Sequence, residues 1–183
     1  MCDTSSLVVD TGVLFLRHLT LADTATIFRL SREQGMKAWL PDQVYSDEAE
    51  AREVLRLLAA QYGAPSPSRA PYVLGVCLSA SHELIGHVGF SPCEYGVEVG
   101  YAIGEAYQSR GYAKQAVSAG ISWALARFGL SSVHAIVAAD NVGSCRVLQF
   151  CGFESLGEIQ RKLHGVERAV RIYRFTNASR RDA

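Results

Sequence analysis

Apolar and polar positions divide this chain into segments of strand and helix length. Residues 13–19 form an apolar run of strand length, and Asp23 can open a helix reaching about residue 34. Ala51, Val54, Leu55, Leu58, Ala59 and Tyr62 recur at steps of three and four. That spacing predicts an amphipathic helix over residues 47–62, capped by Ser46 or Asp47. Residues 63–71 hold three prolines among small residues and mark a loop. Residues 72–78 and 83–90 flank a short polar stretch and predict a hairpin. An apolar strand follows at 97–103. Beyond it Ala113, Ala116, Val117, Gly120, Ile121, Ala124, Leu125 and Phe128 trace one apolar face of a long helix beginning near Gly111. A strand at 133–138, a short helix opened by Asn141, and strands near 154–160 and 167–176 complete the pattern. The polar tail, 177–183, is expected to fray. Strands at both ends and βαβ elements between them predict a mixed, largely antiparallel α/β sheet of about seven strands with helices on both faces.

The 183 residues, 49% of them hydrophobic, suffice for one sizeable core, so residues 1–183 are read as a single domain with its core over 13–176. Lys plus Arg balances Asp plus Glu at 18 each, which leaves no overall field to hold nucleic acid or an anionic membrane. No apolar run approaches the ~18 residues of a membrane span, and the first six residues lack signal-peptide character. A cytoplasmic protein is expected. The cysteines, at 2, 77, 93, 145 and 151, are odd in number and form no Cys-x-x-Cys pair, so neither a disulfide framework nor a metal site is signalled. Cys77 reads as core filling, and Cys145 and Cys151 fall on the short helix. His18 and His87 lie in strands, where ordinary hydrogen-bonded or surface roles are expected.

Two features carry chemistry. Glu98 inserts a carboxylate into an otherwise apolar strand, so something polar must reach that strand. Gln108-Ser109-Arg110-Gly111-Tyr112-Ala113-Lys114 then joins the strand to the long helix, whose first N–H groups lack intrahelical partners and face the positive end of the helix dipole. Gly111 and the small Ala113 let the backbone approach an anion such as pyrophosphate, and Arg110 and Lys114 add positive charge. Tyr112 stands where a Walker A loop needs Lys, and the turn holds one glycine where a dinucleotide fingerprint needs three. A nucleotide-binding module is thereby disfavoured.

The turn resembles the Gln/Arg-x-x-Gly-x-Gly/Ala signature of the GNAT superfamily of acetyl-CoA-dependent N-acetyltransferases. The likeness continues in order through the strand at 133–138, Asn141-x-x-Ser144, Leu148 and Cys151-Gly152-Phe153, and covers roughly residues 14–175. Within the superfamily the chain is most similar to the Rim-like branch, which acetylates ribosomal-protein N-termini. Three features carry that comparison: the opening strand with Arg17 and Asp23, Trp39-Leu40-Pro41 followed by Ser46-x-Glu48-Ala49, and Leu148 where many other branches carry a tyrosine that protonates the departing thiolate. One departure is Phe150, where a lysine is common. The resemblance implies the GNAT fold, in which two central strands splay apart to admit CoA, and no metal.

Acetyl transfer to an amine needs a neutral amine, donors for the developing oxyanion, and a proton for the thiolate. Glu98 is the candidate base, because a desolvated carboxylate titrates nearer neutrality; a solvent-facing residue or arginine partner is the plain alternative, and Glu94 and Glu105 are adjacent substitutes. Ser144 is the candidate acid, directly or through water, against the reading of a first-turn serine bonded to backbone. Asn141 is the helix cap, and the resemblance implies that it also contacts the pantetheine arm. The backbone of Tyr101, Ala102 and Ile103 would pair with pantetheine amides like an added strand, and a strand N–H would face the oxyanion. Trp39, Tyr45 and Tyr62 are candidates to line an acceptor pocket, with core packing as the alternative. The expected partners are acetyl-CoA and a primary amine, a peptide or protein N-terminus being favoured over a small-molecule amine; a non-catalytic CoA-binding sensor is the other class. Monomer and homodimer both stay open.

Overall fold

The protein is described here from a computed structural model covering residues 7–177; Cys2, the N-terminal segment and the tail at 178–183 lie outside the described residues. Chain order is β1 (Leu7–Asp10), β2 (Leu14–His18), α1 (Thr24–Ser31), α2 (Gln34–Trp39), α3 (Glu48–Gln61), β3 (Tyr72–Leu78), β4 (Leu84–Cys93), β5 (Gly96–Ile103), α4 (Tyr112–Phe128), β6 (Ser132–Ala138), α5 (Val142–Phe150), β7 (Glu154–Leu163) and β8 (Val166–Thr176). The strands form one sheet in the order β1-β2-β3-β4-β5-β6-β8-β7. Every junction is antiparallel except β5–β6.

The sheet has eight strands where about seven are expected, the addition being β1. It is only four residues long, and its turn into β2 is tied by Asp10, whose carboxylate accepts from the Gly12 N–H at 2.7 Å. The helix expected to run from Asp23 to about residue 34 is two helices. Ser31 donates its hydroxyl back to the Phe28 carbonyl at 2.7 Å, and Glu33 turns extended so that its carboxylate accepts the Glu105 N–H at 2.8 Å. A contact 72 residues distant in sequence therefore sets that break. Asp23 stands at the start of α1, but its carboxylate is committed elsewhere. It accepts the Thr20 N–H at 2.8 Å and forms a bidentate pair with Arg17 at 2.7 and 2.8 Å, both partners buried. Asp47 caps α3, accepting the Glu50 N–H at 2.8 Å, while Ser46 donates to the Glu50 carboxylate; both residues named from the sequence share the cap.

Alternation along β5 assigns its two faces. Val97, Val99 and Ile103 are buried in the larger core with Leu74, Val88 and Phe90, covered by Ala116, Val117, Ile121, Ala124 and Leu125 of α4. Gly120 lets α4 approach closely, since a Cβ there would lie 3.4 Å from both Val88 methyls. Full burial of Val117 and Ile121 contributes roughly 1.5–3 kcal/mol each. The opposite face packs Phe15, Leu19, Ile27, Leu55, Cys77 and Leu84 beneath α1 and α3. Leu148 is fully buried in the larger core.

Candidate active site

The parallel β5–β6 junction consists of one register pair, Glu98 with His134. Past that pair the strands diverge, leaving residues 99–103 with a neighbour in β4 and none on the other side. Their backbone on that side is thus open to a ligand that pairs as a strand would. A cavity of about 530 Å³ occupies the opening, lined by Val99, Gly100, Tyr101, Ala102 and Ile103 of β5 and by Ile136, Val137 and Ala138 of β6.

One end of this cleft is the turn before α4. Gly111 has φ +80° and Ser109 φ +61°; Gly111 is required by that left-handed conformation rather than by crowding, because a Cβ there would have open space. The first hydrogen bond of α4 runs from the Gln115 N–H to the Gly111 carbonyl, so the N–H groups of Tyr112, Ala113 and Lys114 precede the helical ladder, and these residues line the cleft. Gln108 spends its amide on the Ile103 carbonyl at 2.9 Å, tying off the end of β5. Ser109 and Gln108 also line the cleft, whereas the exposed Arg110 is absent from its lining. Lys114 holds its ammonium 4.2 Å from the ring of exposed Phe150. A cation thus reaches the position of that departure from the family pattern, supplied by α4.

At the far side, Asn141 caps α5 by accepting the Ser144 N–H at 3.1 Å. Both residues line the cleft. Sequence reasoning used only the backbone of Tyr101 and missed its side chain. The phenol donates to the Ser144 carbonyl at 3.1 Å, and burial pushes its pKa up. A phenol therefore reaches Ser144 from β5, although position 148 has none. Strand parity was the available signal, since Tyr101 shares a face with Val97 and Val99.

Glu98 is half-buried, and burial pushes its carboxyl above the usual range; Arg161 and His164 pull it back down, and Glu94 adds to the rise. Arg161 is ion-paired with the exposed Glu94, and His164, on the β7–β8 turn, contacts Asp42 at 2.5 Å. Glu105 is likewise exposed, and its carboxylate accepts the Gly35 N–H at 3.0 Å. Glu98, Gly100 and Ala102 stand opposite Ser91, Gly89 and His87 of β4, on the face turned toward α1–α3. On that face lies a second cavity, of about 250 Å³, which shares Glu33, Met36, Gly100, Ala102 and Ile103 with the cleft. Glu98 lines neither cavity and sits one pleat beyond Gly100.

The aromatic candidates separate. Tyr45 lines the smaller cavity, but Trp39 lines the cleft, with the Arg168 guanidinium 5.7 Å from its ring. Tyr62 lines neither: it stacks on His18 at 4.0 Å, donates to the Val73 carbonyl and accepts the Leu19 N–H. His18 is hydrogen-bonded to the Tyr72 hydroxyl at 2.8 Å, as expected of an ordinary strand histidine.

The acetyltransferase (GNAT) domain family matches residues 14–154. The chain belongs to the GNAT family. It is an acetyl-CoA-dependent N-acetyltransferase, and the splayed β5–β6 pair is the opening that the family resemblance implies. Among relatives of this GNAT enzyme, the uncharacterized N-acetyltransferase YoaA of Bacillus subtilis is 27% identical over 161 residues, covering 86% of this chain and 88% of the relative. The ribosomal-protein-S5-alanine acetyltransferase of Vibrio fischeri superposes with a TM-score of 0.79 at 22% identity, covering 93% of this chain and 96% of that one. A ribosomal L7/L12 alpha-N-protein acetyltransferase, RimL, solved with coenzyme A, gives 0.78 at 18% identity, covering 93% and 97%. At these identities the structural likeness speaks for the fold. Among the described residues no helix is long and apolar enough to cross a membrane.

Proposed function

We propose that this GNAT enzyme, as a member of the Rim-like branch, transfers acetyl directly from acetyl-CoA to the N-terminal amine of a peptide or protein in a ternary complex. The observation that carries the reading is that the cleft and the smaller cavity meet over Gly100 and Ala102. Two substrates entering from opposite faces of β5 would bring thioester and amine together there. The likeness to ribosomal-protein acetyltransferases supports a protein acceptor.

In this reading the α4 N-terminus and Lys114 hold the phosphates, and the open backbone of residues 99–103 holds the pantetheine arm. Glu98, directly or through water, takes one proton from the ammonium. The free amine attacks the acetyl carbonyl, the C–N bond forms and the C–S bond breaks. The second amine proton passes to water as the amide forms, and Ser144, with Tyr101 beside it, delivers one proton to the thiolate and regains one from water. The product is an acetylated amine and free CoA.

The test combines ligand stabilisation with turnover. Acetyl-CoA should raise the unfolding temperature more than ATP does, and thiol release should be faster with peptides than with polyamines or aminoglycosides. Faster turnover of small amines than of every peptide would reassign the acceptor. Stabilisation without thiol release from any amine would support a CoA sensor.

A further inference from the structure

The smaller cavity has a composition that restricts what can enter it. Its floor is the cross-strand pair Gly89–Gly100, where a Cβ on Gly100 would meet nothing within 4 Å. Its walls include Leu30, Leu55, Leu58 and Val73, and among the described residues no lysine or arginine lines it. Two carboxylates do, Glu33, which accepts the Glu105 N–H, and Asp42, which contacts His164. A cavity of ~150 Å³ suffices to hold benzene, so 250 Å³ admits a branched or aromatic group.

Ser31, Gln43, Tyr45 and Ser91 also line the cavity, and His87 adds an imidazole. Its ring lines the cavity, opposite Ala102 in register and so beside the junction with the cleft. The residue is half-buried, and burial pushes its pKa down to about 4. No hydrogen bond or charge adds to that shift, and no described residue pairs with the ring. The histidine expected to be ordinary is therefore a neutral imidazole with a donor and an acceptor both unspent.

We infer that the smaller cavity receives a side chain without negative charge on the residue bearing the acceptor amine, and that His87 selects among such side chains by hydrogen-bonding a neutral polar tip. This rests on the acceptor reading proposed above. With the amine at the junction over Gly100, the group attached to it extends toward α3. An acidic side chain finds no lysine or arginine among the described residues there and meets the Glu33 and Asp42 carboxylates, which repel it. A carboxylate is therefore desolvated without a partner.

Tetrapeptide amides identical except for Leu, Gln or Glu as first residue test the inference. With acetyl-CoA saturating, kcat/KM should be at least tenfold higher for the Leu and Gln peptides than for the Glu peptide. His87→Leu should lower the Gln-to-Leu ratio about tenfold. Leu58→Trp, which fills the cavity, should raise KM for the Leu peptide with acetyl-CoA stabilisation unchanged. Equal turnover of Leu and Glu peptides, or an unchanged Gln-to-Leu ratio in His87→Leu, would overturn the inference while leaving acetyl transfer intact. If no peptide reacts, the proposed acceptor fails first, and binding decides the inference. With CoA bound, the Leu and Gln peptides should shift the His87 ring resonances and the Glu peptide should not. Absence of any shift would overturn it.

Discussion

Acidification should destabilise this protein through His87 in a way that one substitution removes. The ring has an ordinary pKa of 6.5 unfolded and about 4 in place, because burial disfavours its charged form. A base with a lowered folded pKa binds more protons when unfolded, so stability is full above about 6.5, falls as pH drops through the window, and levels off below about 4. The whole difference of 6.5 − 4 is worth about 3 kcal/mol at 1.36 kcal/mol per unit. Between pH 7 and pH 5, where the unfolded ring takes up most of its proton and the folded ring takes up little, the expected loss is about 2 kcal/mol. Other groups also respond to acid. Burial lowers the pKa of His18 and His134 too, so the informative quantity is the difference between wild type and His87→Leu. Urea unfolding of both proteins at pH 7 and pH 5 should show the variant gaining about 2 kcal/mol relative to wild type on acidification. Parallel behaviour of the two proteins, or a His87 ring titrating near 6.5 by NMR, would refute both the burial argument and the neutral imidazole.

Three further outcomes test other parts of the site. Glu98→Gln should retain acetyl-CoA stabilisation but lose ~10²-fold in thiol release at pH 7, with partial recovery at higher pH where the amine is deprotonated without help; wild-type turnover with chemistry rate-limiting would remove Glu98 from the mechanism. Gly111→Asp should abolish acetyl-CoA stabilisation by setting a negative charge against the anion site, and a variant binding acetyl-CoA as wild type does would mean the turn does not hold the phosphates. Asp23→Leu should cost about 3–5 kcal/mol in urea unfolding, because it leaves the Arg17 charge buried without its bidentate partner; a loss below about 1 kcal/mol would show that Arg17 finds water instead.

What the sequence determined by itself was local and periodic. The apolar face of α4, the Asn141 cap, the hairpin of β3 and β4 and the Gly111 turn depend on spacing, capping and conformational freedom, which act within a few residues of each other. The order of those motifs was also sufficient to indicate the family. The limits of that reading are long-range. Glu33 breaks a helix because its carboxylate meets the Glu105 N–H, and Trp39 and Tyr45 line different cavities although Met36 of α2 lines both. Tyr101 meets Ser144 across 43 residues, and Lys114 reaches Phe150 across the α4–α5 contact. His87 shows the distinction most sharply. Its place in a strand was legible from the pattern, but its neutrality depends on α1, α2 and α3 closing over the Gly89–Gly100 floor, and desolvation is a property of the packed enclosure rather than of neighbouring residues in the chain.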